Sequence, residues 1–193
     1  MKNFAEATIA EKKPRADALR NRALLVDTAK QVFAEKGAAA TLDEIAKAAG
    51  VGIGTLYRHF PTREDIVDAV YQAESEQIFN LAHELRAKLP PAEALQQWML
   101  HFIEYMEVKH GMGEILNATA SDRKLKPSGP YALQDALHLL VNKATAAGEI
   151  KLEGEPMDLL RAIAGVLSMN KTPSRKAAAK QMVHVMLAGL RAR

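Results

Sequence analysis

The sequence has no cysteine, one tryptophan and only 5% aromatic residues. Without cysteine there is no disulfide framework, no thiolate nucleophile and no thiolate metal site. No unbroken apolar run approaches the ~20 residues needed to cross a bilayer. The first residues are charged and lack the apolar core of a signal peptide. There is no glycine-rich phosphate loop and no convincing acid–base pair. These absences argue against an enzyme and against membrane insertion. They call for no cofactor and no metal, and they fit a cytoplasmic location.

What is present is helical periodicity. The chain has 193 residues, of which 48% are apolar, ordinary for a globular protein. No strand alternation or internal repeat is visible. Net charge is +3, but residues 1–63 hold 11 Lys and Arg against 7 Asp and Glu, while residues 64–193 hold 15 against 16. The positive excess sits at the N-terminal end, as expected where one end of a protein faces phosphates.

The stretch Thr41–Phe60, TLDEIAKAAGVGIGTLYRHF, reads as helix, turn and helix. Thr41 and Glu44 form a capping-box pattern. Gly50 suits the left-handed end of the first helix, and small Ala46 permits a close crossing. A second helix over Ile53–His59 turns Leu56 inward, with Phe60 behind it. This is the spacing of a DNA-binding helix-turn-helix.

Before it, Leu25, Ala29, Val32 and Phe33 mark a helix over residues 20–36 that Gly37 ends. Residues 1–19, broken by Pro14, read as a flexible arm. After Pro61, Thr62 caps a long helix from Arg63 to about Lys88, stopped by Pro90-Pro91. Further helices are predicted over 92–109, 114–119, 131–147 and 156–169. A last one is capped by Thr172, with Pro173 at its first position. Residues 121–130 read as a loop. The expected fold is all-α: an N-terminal three-helix helix-turn-helix head joined by a long helix to a C-terminal helical bundle. The expected division is an arm over 1–19, a DNA-binding domain over 20–66, and an effector-binding and dimerisation domain over 67–193.

The string TLDEIAKAAGVGIGTLYRHFPTREDIV, led by a helix ending in AEKG, resembles the DNA-binding domain of TetR/AcrR-type transcriptional regulators. The likeness covers roughly residues 20–70 and includes the Gly-Thr-Leu-Tyr-x-His-Phe core. Beyond residue 70 the match is one of helical architecture. The resemblance implies a C-terminal bundle that dimerises and binds a small effector. It also implies that Thr55, Tyr57 and His59 contact phosphate or bases.

The candidate DNA-binding residues are Arg20, Arg22, Thr41, Ile53, Thr55, Tyr57, Arg58, His59 and Arg63. Arg20 and Arg22 adjoin a folded element, unlike Lys12 and Lys13, whose positions fit a solvated tail equally well. Thr41 either caps only or also donates to a phosphate. Arg58 either reaches a guanine edge or holds a phosphate. His59 either donates to phosphate or packs beside the next helix. Arg63 stands where the family often has Lys and keeps its charge; Gly52 stands where the family often has a polar residue. Ile53 and Gly54 offer only apolar or backbone contact, such as to a thymine methyl. Base readout by this helix is therefore expected to be sparse, with more weight on DNA shape and on the arm.

Trp98, Met99, Phe102, Tyr105, Met106, Met112 and Leu116 cluster mid-chain. Either they line a tolerant apolar pocket or they are bundle core. His101, Glu104 and His110 have helical spacing but no credible fourth ligand, so no metal site is assigned. Ile163, Val166, Met182, Val185, Met186 and Gly189 are the dimerisation candidates. The expected function is that of a homodimeric repressor on a double-stranded DNA operator, released by a small apolar or amphipathic effector. The alternative is a DNA-binding regulator with no small-molecule effector, controlled by a protein partner or acting as an activator.

Overall fold

Helix α1 runs from Ala7 to Lys36 in the computed structural model, which describes residues 7–112, 128–169 and 174–191. Its buried apolar residues, Leu25, Val26, Ala29, Val32 and Phe33, repeat at helical spacing and form one inward stripe. The helix starts well before Arg20, so residues 7–19 of the stretch read as a flexible arm are helical. The strong helix formers Ala, Arg and Leu after Pro14 propagate the helix. A single interior proline costs a hydrogen bond and a clash with the preceding turn, and the 30-residue helix continues through it.

Gly37 ends α1 with φ +56, and a 3-10 turn, Gly37–Ala39, leads to α2, Leu42–Ala48. Both halves of the expected capping box are present: the Thr41 hydroxyl accepts from the Glu44 amide, and Glu44 accepts from the Thr41 amide. Gly50 has φ +69. Its amide donates to the carbonyl of Lys47, and the Val51 amide donates to that of Ala46, at 3.1 and 3.0 Å. That pairing is a Schellman ending, which needs the left-handed residue that glycine supplies without a Cβ clash. Helix α3, Ile53–His59, follows at once, with Leu56 and then Phe60 fully inside. Ahead of α4, Arg63–Lys88, the pair Thr62 and Asp65 repeats the reciprocal cap, with Asp in place of Glu.

Helix α5 spans Pro91–Gly111, α6 Ser128–Ala146, α7 Pro156–Met169 and α8 Arg175–Leu190. The all-α expectation holds. Eight α-helices and no strand occur among the described residues, apart from one isolated bridge between Ile150 and Arg191. Helix α6 begins inside the stretch read as a loop. Pro130 falls in its first turn, where backbone N–H groups have no intrahelical partner and a proline costs little. The short helix expected over 114–119 and the Thr172-Pro173 start lie outside the described residues.

The chain divides into two compact units, with the boundary between Tyr71 and Gln72 inside α4. The first holds the described residues through Tyr71 together with the end of α5 from His110. Its core contains Leu25, Phe33, Ile45, Leu56, Phe60 and Ile66. The second holds the rest of α4, α5 through Lys109, and α6 to α8. In its core the Trp98 indole N–H donates to the Ile78 carbonyl at 2.8 Å. The turn after α6 joins helix ends. Glu149 accepts from the Ala92 amide at 2.8 Å and so caps α5, while the Lys151 amide donates to Leu190 at 2.7 Å at the end of α8. No helix among the described residues is long and apolar enough to cross a membrane.

Candidate nucleic-acid interface

The head's interior requires neither Ile53, Tyr57 nor Arg58. Leu56 and Phe60 fill the space behind α3, which turns Ile53 and Tyr57, one helical turn apart, to the surface at 38% and 49% exposure. Arg58 is exposed, and Thr55 and His59 are half-buried. Ile53 and Tyr57 together place apolar surface and a hydroxyl on the outer side of this seven-residue helix.

The polar groups around α3 have defined partners. Arg58 turns back on its own helix: Nε donates to the Gly54 carbonyl and a terminal nitrogen to the Thr55 hydroxyl, both at 3.2 Å. Arg22 places its guanidinium over the Phe60 ring, 4.9 Å from the centroid, a cation–π contact that also shields the ring. Arg20 is paired with Asp17. The Thr41 hydroxyl donates its single proton to Glu44 at 3.0 Å, so capping occupies the donor that a phosphate would need.

Arg63 has a structural task where the sequence suggested phosphate contact. Its guanidinium donates to the carbonyls of Ala40 and Ala38 and lies 5.5 Å from the Phe33 ring centroid. It ties the start of α4 to the connector between α1 and α2. Sequence reasoning missed this because the acceptors are backbone groups 23 and 25 residues away.

Glu44 is held by a second long-range tie. Lys36 Nζ lies 2.7 Å from its carboxylate. The Lys36 hydrogen bond, the Thr41 amide and the Thr41 hydroxyl together lower its pKa from 4.5 to about 2. Lys47 has its pKa raised by its hydrogen bond to Asp43.

In the second unit, Trp98, Met99, Phe102 and Tyr105 are buried and Met106 is half-buried. The rings of Trp98 and Phe102 stack at 6.3 Å and 16°, and those of Phe102 and Tyr105 at 6.0 Å and 26°. These three form a ladder along α5. Met112 is buried but belongs to the first unit, and Leu116 lies outside the described residues. Elsewhere in this unit a crevice of about 240 Å³ is lined by Ala92, Glu93, Gln96, Gln97, Leu187 and Arg191. His101 bonds the Gln97 carbonyl, and Glu104 pairs with Lys176 and Lys180. No group of three potential metal ligands occurs among the described residues.

Ile163 is fully buried within its own chain, which corrects its assignment to a subunit interface: a side chain with no accessible surface has none to offer a partner. Val166, Met182 and Met186 are half-buried, Gly189 is exposed, and Val185 is 57% exposed. Met169, which the sequence reading passed over, is 84% exposed. Its apolar spacing from Val166 was the available signal.

Residues 25–70 match the family described as bacterial regulatory proteins, tetR family. Residues 90–192 match the C-terminal domain of SbtR-like transcriptional regulators. The fold is similar to that of the TetR transcriptional regulator SCO0520 from Streptomyces coelicolor, with TM-score 0.80 and 40% identity, covering 89% of this chain and 98% of that one. The HTH-type transcriptional regulator AcrR of Shigella flexneri is 33% identical over 96 residues, 48% of this chain and 45% of its own. The HTH-type transcriptional repressor KstR2 of Rhodococcus jostii is 30% identical over 109 residues, 53% of each chain. The chain spans about half the length of these last two relatives. With an intact helix-turn-helix and a matching C-terminal domain, the chain belongs to the TetR family of DNA-binding transcriptional regulators.

Proposed function

We propose that the protein is a cytoplasmic, homodimeric repressor whose two heads occupy neighbouring major-groove half-sites of a near-palindromic operator. The observation that carries this reading is the surface of α3, where Ile53 and Tyr57 stand partly exposed beside Thr55 on the outer side of the helix-turn-helix. Residues 20–66 supply the DNA contacts. Tyr57 and Thr55 reach phosphate or base edges, and Arg20, Arg22 and His59 follow the backbone. Residues 67–193 supply dimerisation and effector binding. The relative KstR2 is named a repressor, which supports the sign of regulation.

Dimerisation is assigned to two parallel stripes. Ala162, Gly165, Val166 and Met169 on α7, and Met182, Val185, Met186 and Gly189 on α8, repeat at helical spacing and are exposed or half-buried. A Cβ added at Gly165 or Gly189 meets nothing within 4 Å, so the chain's own packing does not require glycine there. Close approach of a second pair of helices does.

The effector is a small apolar or amphipathic molecule that meets the α5 ladder of Trp98, Phe102 and Tyr105 along with Met99 and Met106. It must bind the DNA-released state more tightly than the DNA-bound one, since equal affinity shifts nothing. One observation favours a second reading, a regulator with no small-molecule effector: the ladder is packed, and the Trp98 N–H is already satisfied.

Binding-site selection on random duplex DNA, followed by a compound screen for thermal stabilisation and operator release, tests both. A palindromic consensus and a compound that both stabilises the protein and weakens DNA binding support the first reading. A consensus with no such compound supports the second. Sequence-independent binding overturns both.

A further inference from the structure

We infer that the recognition helix selects its operator by thymine methyl groups through Ile53, and that Arg58 positions α3 and reads no guanine. This rests on the operator-binding reading of α3 given above.

Arginine reads guanine by presenting two parallel N–H groups to O6 and N7. In Arg58, Nε and one terminal nitrogen are turned back onto the Gly54 carbonyl and the Thr55 hydroxyl. Reading guanine through this Nε edge of the guanidinium means giving up both bonds. In place, the guanidinium braces the helix and directs Thr55. A hydroxyl oxygen that accepts from Arg58 keeps its proton for an acceptor outside the protein.

Ile53 is the large group left at the front of the helix. It is 38% exposed, and glycine stands on both sides. Gly52 has φ −71, so its backbone suits any residue. A Cβ built at Gly52 or Gly54 meets nothing within 4 Å. Packing therefore demands glycine at neither position; Gly52 serves as the N-cap, where glycine is tolerated better than alanine, while Gly54, inside the helix, weakens it relative to alanine. What the two glycines provide is clearance of the backbone on either side of Ile53; its neighbour on the exposed face of the helix is Tyr57, one turn on. The thymine 5-methyl is the one apolar group on the major-groove edge of a base pair. A branched aliphatic side chain with clearance on both sides fits a methyl and has no donor or acceptor for anything else there.

The test uses the full-length protein and the duplex obtained by site selection. Each thymine is replaced in turn by deoxyuridine, which removes only the 5-methyl. The expected result is one thymine per half-site at which replacement weakens binding about fourfold, the factor for burying one methyl-sized group. In Ile53→Ala, which changes an exposed side chain, that penalty disappears. Replacing guanine by 7-deazaguanine is expected to change binding equally in the wild type and in Arg58→Ala. Indifference of the wild type to every uracil, or a penalty that persists in Ile53→Ala, overturns the inference. So does a 7-deazaguanine penalty that vanishes in Arg58→Ala. Failure to select any duplex removes the operator reading itself, an outcome distinct from a selected operator that tolerates uracil.

Discussion

Arg63, the first residue of α4, donates to the carbonyl of Ala40, the residue just before the N-cap of α2. With its second bond to Ala38, the guanidinium spans two carbonyls of one connector. Lysine has three donors at a single point and cannot reproduce that span. Arg63→Lys is expected to lower the stability of the head by about 1.5–3 kcal/mol, the range for a hydrogen bond to a charged group. Urea unfolding of the variant measures it. In Arg63→Gln, which removes the charge, the slope of operator affinity against salt should stay at its wild-type value; a slope smaller by about one unit would restore the phosphate role.

Glu44 sets a pH dependence with a definite sign. Its folded pKa is depressed from 4.5 to about 2 by Lys36 and Thr41. The unfolded chain therefore takes up the proton first as pH falls. The contribution of Glu44 is complete above pH 4.5 and is lost as the pH drops toward 2. Thermal unfolding followed from pH 6 to pH 2 should show a midpoint falling through that window, and Glu44→Gln should flatten it. An equally steep fall in Glu44→Gln would place the acid sensitivity elsewhere.

Val185 and Ile163 should separate assembly from folding. Val185→Asp places a charge on an exposed stripe and leaves the chain's own core intact. The expected product is a folded monomer by analytical ultracentrifugation, with weakened operator binding. Ile163→Ala removes fully buried carbons and is expected to cost about 2–5 kcal/mol of stability. If Val185→Asp stays dimeric, the α7–α8 stripe is not the interface.

Gly54→Ala should move stability and binding in opposite directions. The new methyl enters open space in the free protein and raises helix propensity, a gain of about 0.5–1 kcal/mol. It also fills the clearance beside Ile53, so operator affinity should fall although the thermal midpoint rises. A variant that binds as well as the wild type would show that the DNA does not come so close.

Local chemistry made much of the head legible in the sequence. The capping pair Thr41 and Glu44, the left-handed Gly50 and the cap at Thr62 each act within a few residues, so the starts of α2, α3 and α4 could be read directly. Pro14 misled because a proline looks like a boundary when the strength of the flanking helix is not weighed. The ties from Arg63 to Ala38, from Lys36 to Glu44 and from Glu149 to Ala92 join groups that no spacing rule connects. Ile163 and Val185 are both aliphatic and both fit a helical stripe. Only the packing of α7 and α8 against their neighbours decides which stripe faces inward.

The turn after α6 has the look of a permissive joint, with Gly148 at φ +71 between two helices. Loops of that kind are where a chain usually accepts new termini or a protease cut. Here the Glu149 carboxylate closes the start of α5, and the next amide but one, that of Lys151, closes the end of α8. A permutant opened between Gly148 and Lys151 would fray two helices that are far apart along the chain. One opened at the exposed pair Glu153 and Gly154 would fray neither.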